Sequence, residues 1–114
     1  MDSLKAVYKI LKVLESAMDY EEFDSDLISP ETLGITKERR DNLLIDMQEK
    51  GYIKGLNIKK YIRGGAVIIP PIKPEITIDG IDFLHNNSTM KKIDDALQGF
   101  IGSAVTAFGS TFKG

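Results

Sequence analysis

The chain has no cysteine, which excludes a disulfide framework, a thiol nucleophile and a thiolate metal site. Histidine occurs once, at His85, too few for a multi-histidine zinc site or a switch built from clustered imidazoles. No apolar run approaches the ~20 residues a membrane-spanning helix needs. The first helical segment is interrupted by Lys5, Lys9, Lys12, Glu15 and Asp19, which is not the pattern of a signal peptide. A soluble, cytoplasmic protein is the expectation. There are no internal repeats and no low-complexity tract. Gly64-Gly65 is followed by no Lys-Ser/Thr and opens no helix, so it is not a phosphate-binding loop. The acid pairs Glu21-Glu22 and Asp94-Asp95 have no partner base or ligand beside them. No catalytic residue, cofactor or metal is therefore expected, and the chain does not read as an enzyme.

What the sequence does have is a lopsided charge. The formal net charge is only −2, but residues 1–36 carry three lysines against eight acids, residues 37–73 nine bases against four acids, and residues 74–114 three lysines against five acids. A basic middle within an acidic chain is a hint of a polyanionic partner. With 114 residues, 42% of them hydrophobic, the length suits one small domain with one core.

Thr36–Leu56 reads as the stretch the rest is arranged around. Thr36 is an N-cap, Glu38 and Lys50 suit the two ends of the helix dipole, and Gly51 stands where a left-handed stop belongs. At 100° per residue, Leu43, Leu44 and Met47 form a core stripe with Arg40 above it. Glu38, Asp41, Asn42, Ile45, Asp46 and Glu49 fall on the opposite, outward face. That face offers carboxylates where a groove-reading helix should offer Arg, Lys, Asn or Gln.

Before it, Leu4, Val7, Tyr8, Leu11, Leu14 and Met18 predict an amphipathic helix over residues 4–19, capped by Asp2 or Ser3. The acidic connector Tyr20–Asp26 follows, anchored by Phe23 and Leu27. Ser29-Pro30-Glu31 starts a short helix that Gly34 ends. Short helix, glycine turn and longer helix make a helix-turn-helix pattern. From Tyr52 to Ile69 the composition turns β-branched, with Leu56, Ile58 and Ile62 as the alternating apolar positions. Arg63-Gly64-Gly65 is the turn and Ala66–Ile69 the return strand; Pro70-Pro71 and Pro74 end the pairing. Thr77 caps a helix with Ile78, Ile81 and Leu84. Ser88 or Thr89 caps a last helix in which Met90, Ile93, Leu97, Phe100, Ile101, Ala104, Val105 and Phe108 keep helical spacing.

The fold expected is α+β and mostly α: a winged helix-turn-helix, with a three-helix core, a β-hairpin wing and one or two additional C-terminal helices. The winged-helix domain is drawn over residues 1–88. Residues 89–114 form a C-terminal helix with a frayed tail, which docks on the domain's own core or on a second copy.

Glu49-Lys50-Gly51-Tyr52-Ile53-Lys54-Gly55, a hairpin, then Ile76-Thr77-Ile78-Asp79-Gly80-Ile81-Asp82-Phe83-Leu84 and Asn87-Ser88-Thr89-Met90-Lys91-Lys92 together resemble the YjcQ family of small bacterial and phage proteins. The resemblance spans residues 4 to 98. It rests on the glycine and lysine after the third helix and on a start to the fourth similar to the family's LT-x-x-G-x-x-x-L, with Ile76 in place of its first leucine. It implies mainly a fold, similar to winged-helix proteins; the family's members are described as DNA-associated or uncharacterised proteins, and the resemblance carries no residue-level site. Pro70-Pro71 in the wing and the glycine-rich tail from Gly99 depart from the family pattern.

Two functions remain open at this stage. In the first, the protein binds double-stranded DNA as a transcriptional regulator or phage-associated accessory protein. Lys37, Arg39 and Arg40 would touch phosphates from the central helix, and Lys59, Lys60 and Arg63 from the wing. Such contacts position without specifying sequence. In the second, the winged-helix scaffold is a protein-interaction or assembly module that binds no nucleic acid. Its evidence is the acidic helix face, the acidic connector and the apolar last helix, where Leu97, Phe100, Ile101, Ala104, Val105 and Phe108 would form a homodimer interface.

Overall fold

The computed structural model describes residues 2–97. It is α+β and mostly helical, with two small two-stranded sheets. The elements run α1 (Asp2–Ala17), a 3-10 turn (Ser25–Ile28), α2 (Pro30–Leu33), α3 (Lys37–Glu49), β1 (Ile53–Lys54), β2 (Asn57–Lys60), β3 (Ala66–Ile69), β4 (Glu75–Ile76), α4 (Ile78–Asn86) and α5 (Ser88–Ala96).

The hub is α1 rather than the Thr36–Leu56 stretch. It packs against α3, α4, α5, β4 and the 3-10 turn. Neighbours on several sides bury Ala6, Ile10 and Val13 as well as Val7, Tyr8, Leu11 and Leu14. Leu4 and Met18, at the two ends of the expected stripe, are exposed because the covering elements do not reach that far. Burial of Tyr8 also forces a partner on its hydroxyl, which donates to Asp94 Oδ1 on α5. Loss of water and then the adjacent carboxylate push the Tyr8 phenol well above its ordinary pKa.

Local signals set the helix ends. Ser29 Oγ accepts from Thr32 N–H at 3.2 Å and Thr36 Oγ1 from Arg39 N–H at 3.1 Å. Gly34 (φ 72°) closes α2. At the end of α3, Gly51 (φ 82°) lets its own N–H reach Gln48 O at 3.0 Å and Tyr52 N–H reach Met47 O at 2.9 Å, the paired bonds of a Schellman stop. Between α4 and α5 the cap is Asn87 rather than Ser88 or Thr89. Its N–H closes α4 on Phe83 O at 3.1 Å, and its Oδ1 accepts from Thr89 and Met90 N–H at 3.0 and 3.1 Å. One residue ends one helix and starts the next, which leaves Ser88 already inside α5.

The expected single hairpin is two pieces. β1 pairs antiparallel with β4 (Ile53↔Ile76, Lys54↔Glu75), and β2 pairs with β3 (Asn57↔Ile69, Ile58↔Ile68, Lys59↔Val67, Lys60↔Ala66). The break falls at Gly55-Leu56, where Gly55 has φ 93° and Leu56 is buried. Gln48 of α3 holds that break: its amide accepts from Leu56 N–H at 2.8 Å and donates to Leu56 O at 3.1 Å, as a neighbouring strand would.

α4 is fixed just as closely. Thr77 N–H donates to Tyr52 O at 3.1 Å, Thr77 hydroxyl donates to Gly51 O, and Thr77 Oγ1 accepts from Gly80 N–H at 3.0 Å. Gly80 is buried against Tyr52 O, and Tyr52 stacks on Phe83 with centroids 4.5 Å apart. Ile78, expected on the apolar stripe, points to solvent at 84% exposure; Leu84 is the buried anchor and Ile81 is half-buried. α5 docks on α1 and α4 through Met90 and Ile93.

Candidate nucleic-acid interface

The bases of the middle of the sequence divide between α3 (Lys37, Arg39 and Arg40) and the chain that follows it. From Lys50 to Pro74 the chain has six bases (Lys50, Lys54, Lys59, Lys60, Arg63 and Lys73) and no acid. Its centre is the β2–β3 hairpin, which folds back against α3. That contact buries Ile45, which periodicity had put on the outward face, leaving it 8% exposed. Of the rest of that face, Glu38, Asn42, Asp46 and Glu49 stay exposed, with Arg39 and Lys50 exposed beside them, while Asp41 is half-buried between Arg40 and Lys37. Three carboxylates against two cations make this side of α3 a poor surface for phosphate.

The expected phosphate contacts separate by environment. Arg40 does not belong with them. It is 7% exposed, its Nη1 donates to Ile28 O at 3.1 Å and its Nε to Asp41 Oδ1 at 2.8 Å. Its charge is neutralised inside the molecule, where it ties α3 to the 3-10 turn. Lys37 lies 2.8 Å from Asp41 Oδ2, and Lys60 3.2 Å from Glu49 Oε2, with both lysines about two-thirds exposed. Exposed pairs of this kind are worth ~0–1 kcal/mol, so either lysine can exchange its acid for a phosphate at little cost.

Arg39, Lys59 and Arg63 are exposed and have no acidic partner among the described residues. Lys59 Nζ sits 5.7 Å from the centre of the Tyr61 ring, a cation–π contact that holds the charge over the strand and leaves it available. Lys54 and Lys73 are exposed at the base of the hairpin. Sequence reasoning passed over them singly, although the absence of acids from Lys50 to Pro74 was legible.

A second surface feature is an open groove of about 1120 Å³ between the end of α1, the acidic connector and the β4–α4 junction. Leu14, Ala17, Ile76 and Ile81 line it, with four carboxylates (Glu21, Glu22, Glu75 and Asp79) and two lysines (Lys54 and Lys73) also at its walls. The exposed Met18 and Ile78 border it.

Of the expected dimer interface, Leu97 is half-buried and packs on the domain's own core. Phe100, Ile101, Ala104, Val105 and Phe108 lie outside the described residues. Among the described residues no three of His, Asp and Glu converge where they could hold a metal ion. No described helix is long and apolar enough to cross a membrane.

Together these features define a class: a small α+β, mostly helical domain in which α3 backs a basic β-hairpin. The family description "YjcQ protein" matches residues 8–99, and the chain belongs to the YjcQ family. The matched span runs from within α1 to just past α5. It includes Thr77, Gly80 and Leu84, the residues that seat α4 on β1 and the core. No curated protein and no solved structure matches the chain.

Proposed function

We propose that the protein is a winged helix-turn-helix module that binds double-stranded DNA mainly through phosphate contacts from its wing, without catalysis. In this reading α2, the Gly34 turn and α3 are the helix-turn-helix, and β2–β3 is the wing. The observation that carries it is the acid-free stretch from Lys50 to Pro74, folded so that Lys59 and Arg63 stand exposed without acidic partners. The carboxylates on α3 argue that the hairpin and not the helix makes first contact. A module of this kind holds DNA with modest sequence preference, as a regulator or phage-associated accessory protein does when it relies on a partner for its address.

Fluorescence anisotropy with a random-sequence duplex over a salt series tests the reading. Three to four neutralised phosphates give a slope of log K against log salt of about −3 to −4. The double variant Lys59→Ala/Arg63→Ala makes the slope shallower by about 2. No binding at ~50 mM salt, where the electrostatic contribution is strongest, refutes it.

One observation favours a second reading, a protein-interaction module: the groove bordered by exposed Met18 and Ile78 with acids beside them. A surface of that composition suits an apolar segment flanked by cations better than it suits phosphate.

A further inference from the structure

The tip of the hairpin carries a side chain that neither the turn nor the core explains. Gly64 N–H donates to Tyr61 O at 3.0 Å and Tyr61 N–H to Gly65 O at 3.0 Å, so Ile62 and Arg63 are the two corner residues of the turn. Gly64 (φ 94°) and Gly65 (φ 87°) supply the left-handed geometry. Ile62 was expected to alternate inward with Leu56 and Ile58, yet it is fully exposed at 106%. A turn corner rewards Pro, Asp, Asn or Ser. A β-branched aliphatic gains nothing there and invites aggregation at a strand edge. Other exposed apolar side chains have a local setting: Leu4 lies in the first turn of α1, Met18 and Ile78 border the groove, and Val67 lies within β3 opposite Lys59. Ile62 alone is an aliphatic at the tip, with Arg63 as the other corner residue, Tyr61 half-exposed beside it, and Lys59 and Lys60 in the strand behind.

We propose that Ile62 is a wedge that enters a base-pair step from the minor groove, unstacking and bending a duplex that the surrounding cations hold. The inference rests on the DNA reading above and adds to it a contact that phosphates cannot supply. The minor groove is ~6 Å wide and paired strands lie ~4.8 Å apart before their side chains are counted. The tip can therefore enter while the ladder behind it stays outside. An isoleucine held there by cations leaves water for the faces of two base pairs, and the step opens on the minor-groove side so that the duplex bends towards the major groove. Opening is easiest at the flexible pyrimidine–purine steps TA and CA/TG and hardest in stiff A-tracts. The wedge thereby gives a phosphate-binding hairpin a preference among sequences that it never reads by hydrogen bonds.

An apolar tip ringed by cations also meets the chemistry of an anionic lipid surface. Stable attachment to a membrane calls for a broad apolar face, and the tip offers one aliphatic side chain and part of a tyrosine, which matches a single base step.

The test compares the wild-type chain with Ile62→Ala and Ile62→Ser; both variants change only an exposed side chain. The probes are a short duplex with 2-aminopurine at a central TA step, its A-tract counterpart, and phosphatidylserine–phosphatidylcholine vesicles. Wild type should raise the 2-aminopurine fluorescence, shorten the end-to-end distance measured by energy transfer, and prefer the TA duplex. The variants should keep the salt slope, lose the fluorescence rise and the bend, bind about five- to tenfold more weakly, and no longer distinguish the duplexes. If wild type binds with normal salt dependence but leaves 2-aminopurine silent, or Ile62→Ala behaves as wild type, the wedge is refuted and the DNA reading stands. If neither duplex is bound at any salt, or only vesicles are bound in an Ile62-dependent way, both fall together.

Discussion

Replacing Gly80 by alanine adds one methyl group where α4 crosses the start of β1. In an open helix that exchange stabilises by ~1 kcal/mol. Here the new Cβ would stand 2.1 Å from Tyr52 O, 2.8 Å from Ile76 Cγ1 and 3.0 Å from Tyr52 C. Ordinary carbon–oxygen approach stops near ~3.3 Å, so α4 must withdraw by roughly 1 Å. The obstacle is backbone, which cannot swing aside as a side-chain end can. Withdrawal pulls on Thr77, whose N–H is bonded to Tyr52 O at 3.1 Å and whose hydroxyl is bonded to Gly51 O. Overpacking costs ~1–3 kcal/mol and each strained or lost bond ~1 kcal/mol. The net loss is about 2–4 kcal/mol, a large share of the ~5–15 kcal/mol that holds a domain of this kind together. Urea unfolding should register that loss directly, and the melting temperature should fall by roughly 10–25 °C. Gly64→Ala is the comparison: its φ is 94° but nothing lies within 4 Å of the added Cβ. It should cost only the left-handed strain of ~1–2 kcal/mol. A Gly80→Ala protein as stable as wild type, or more stable, refutes the close approach of α4 to β1.

Other substitutions probe the remaining supports. Arg40→Met removes the bonds to Ile28 O and Asp41 and should cost about 2–3 kcal/mol by denaturant titration, while leaving the salt slope of DNA binding unchanged. A changed slope with intact stability would return Arg40 to the phosphate contacts. Gln48→Ala should lose ~1–3 kcal/mol and speed hydrogen exchange at the Leu56 amide, which it alone is seen to hold; an unchanged exchange rate would show the break between β1 and β2 is held by other means. Tyr8 gives a pH dependence. Its folded pKa lies above the unfolded value of ~10, so its stabilising effect is complete below that pH and is lost as pH rises through and beyond it. Tyr8→Phe should lose about 1–2 kcal/mol at neutral pH and show a flatter decline between pH ~9 and ~11. Parallel declines for the two proteins would contradict the assignment.

The run from α2 through the Gly34 turn to the end of α3 was legible because its signals are local. Ser29, Pro30, Gly34, Thr36 and Gly51 each act within one turn of chain, and a cap needs nothing from the rest of the molecule. What escaped depends on neighbours distant in sequence. Ile45 is inside only because the hairpin covers it, and Ile10 and Val13 because α1 is enclosed on several sides. Arg40 is structural because the Ile28 carbonyl lies above it, a contact that no helical wheel contains. Periodicity placed Ile62 inward by counting along one strand, whereas the turn begins one residue earlier and throws it outward. The cationic character of the candidate site could be counted from the sequence. Which cations are neutralised by Asp41 and Glu49 could not.

The central claim is that the hairpin, and not the third helix, is the surface that meets nucleic acid. Chemical-shift mapping with a short random duplex tests it most directly. The account predicts that perturbed amides cluster from Asn57 to Ala66 and reach Arg39 and, through loss of its Lys60 partner, Glu49, while Asn42 and Asp46 stay near their free positions. Perturbation centred on that acidic face of α3 with a silent hairpin, or none anywhere at low salt, would contradict it.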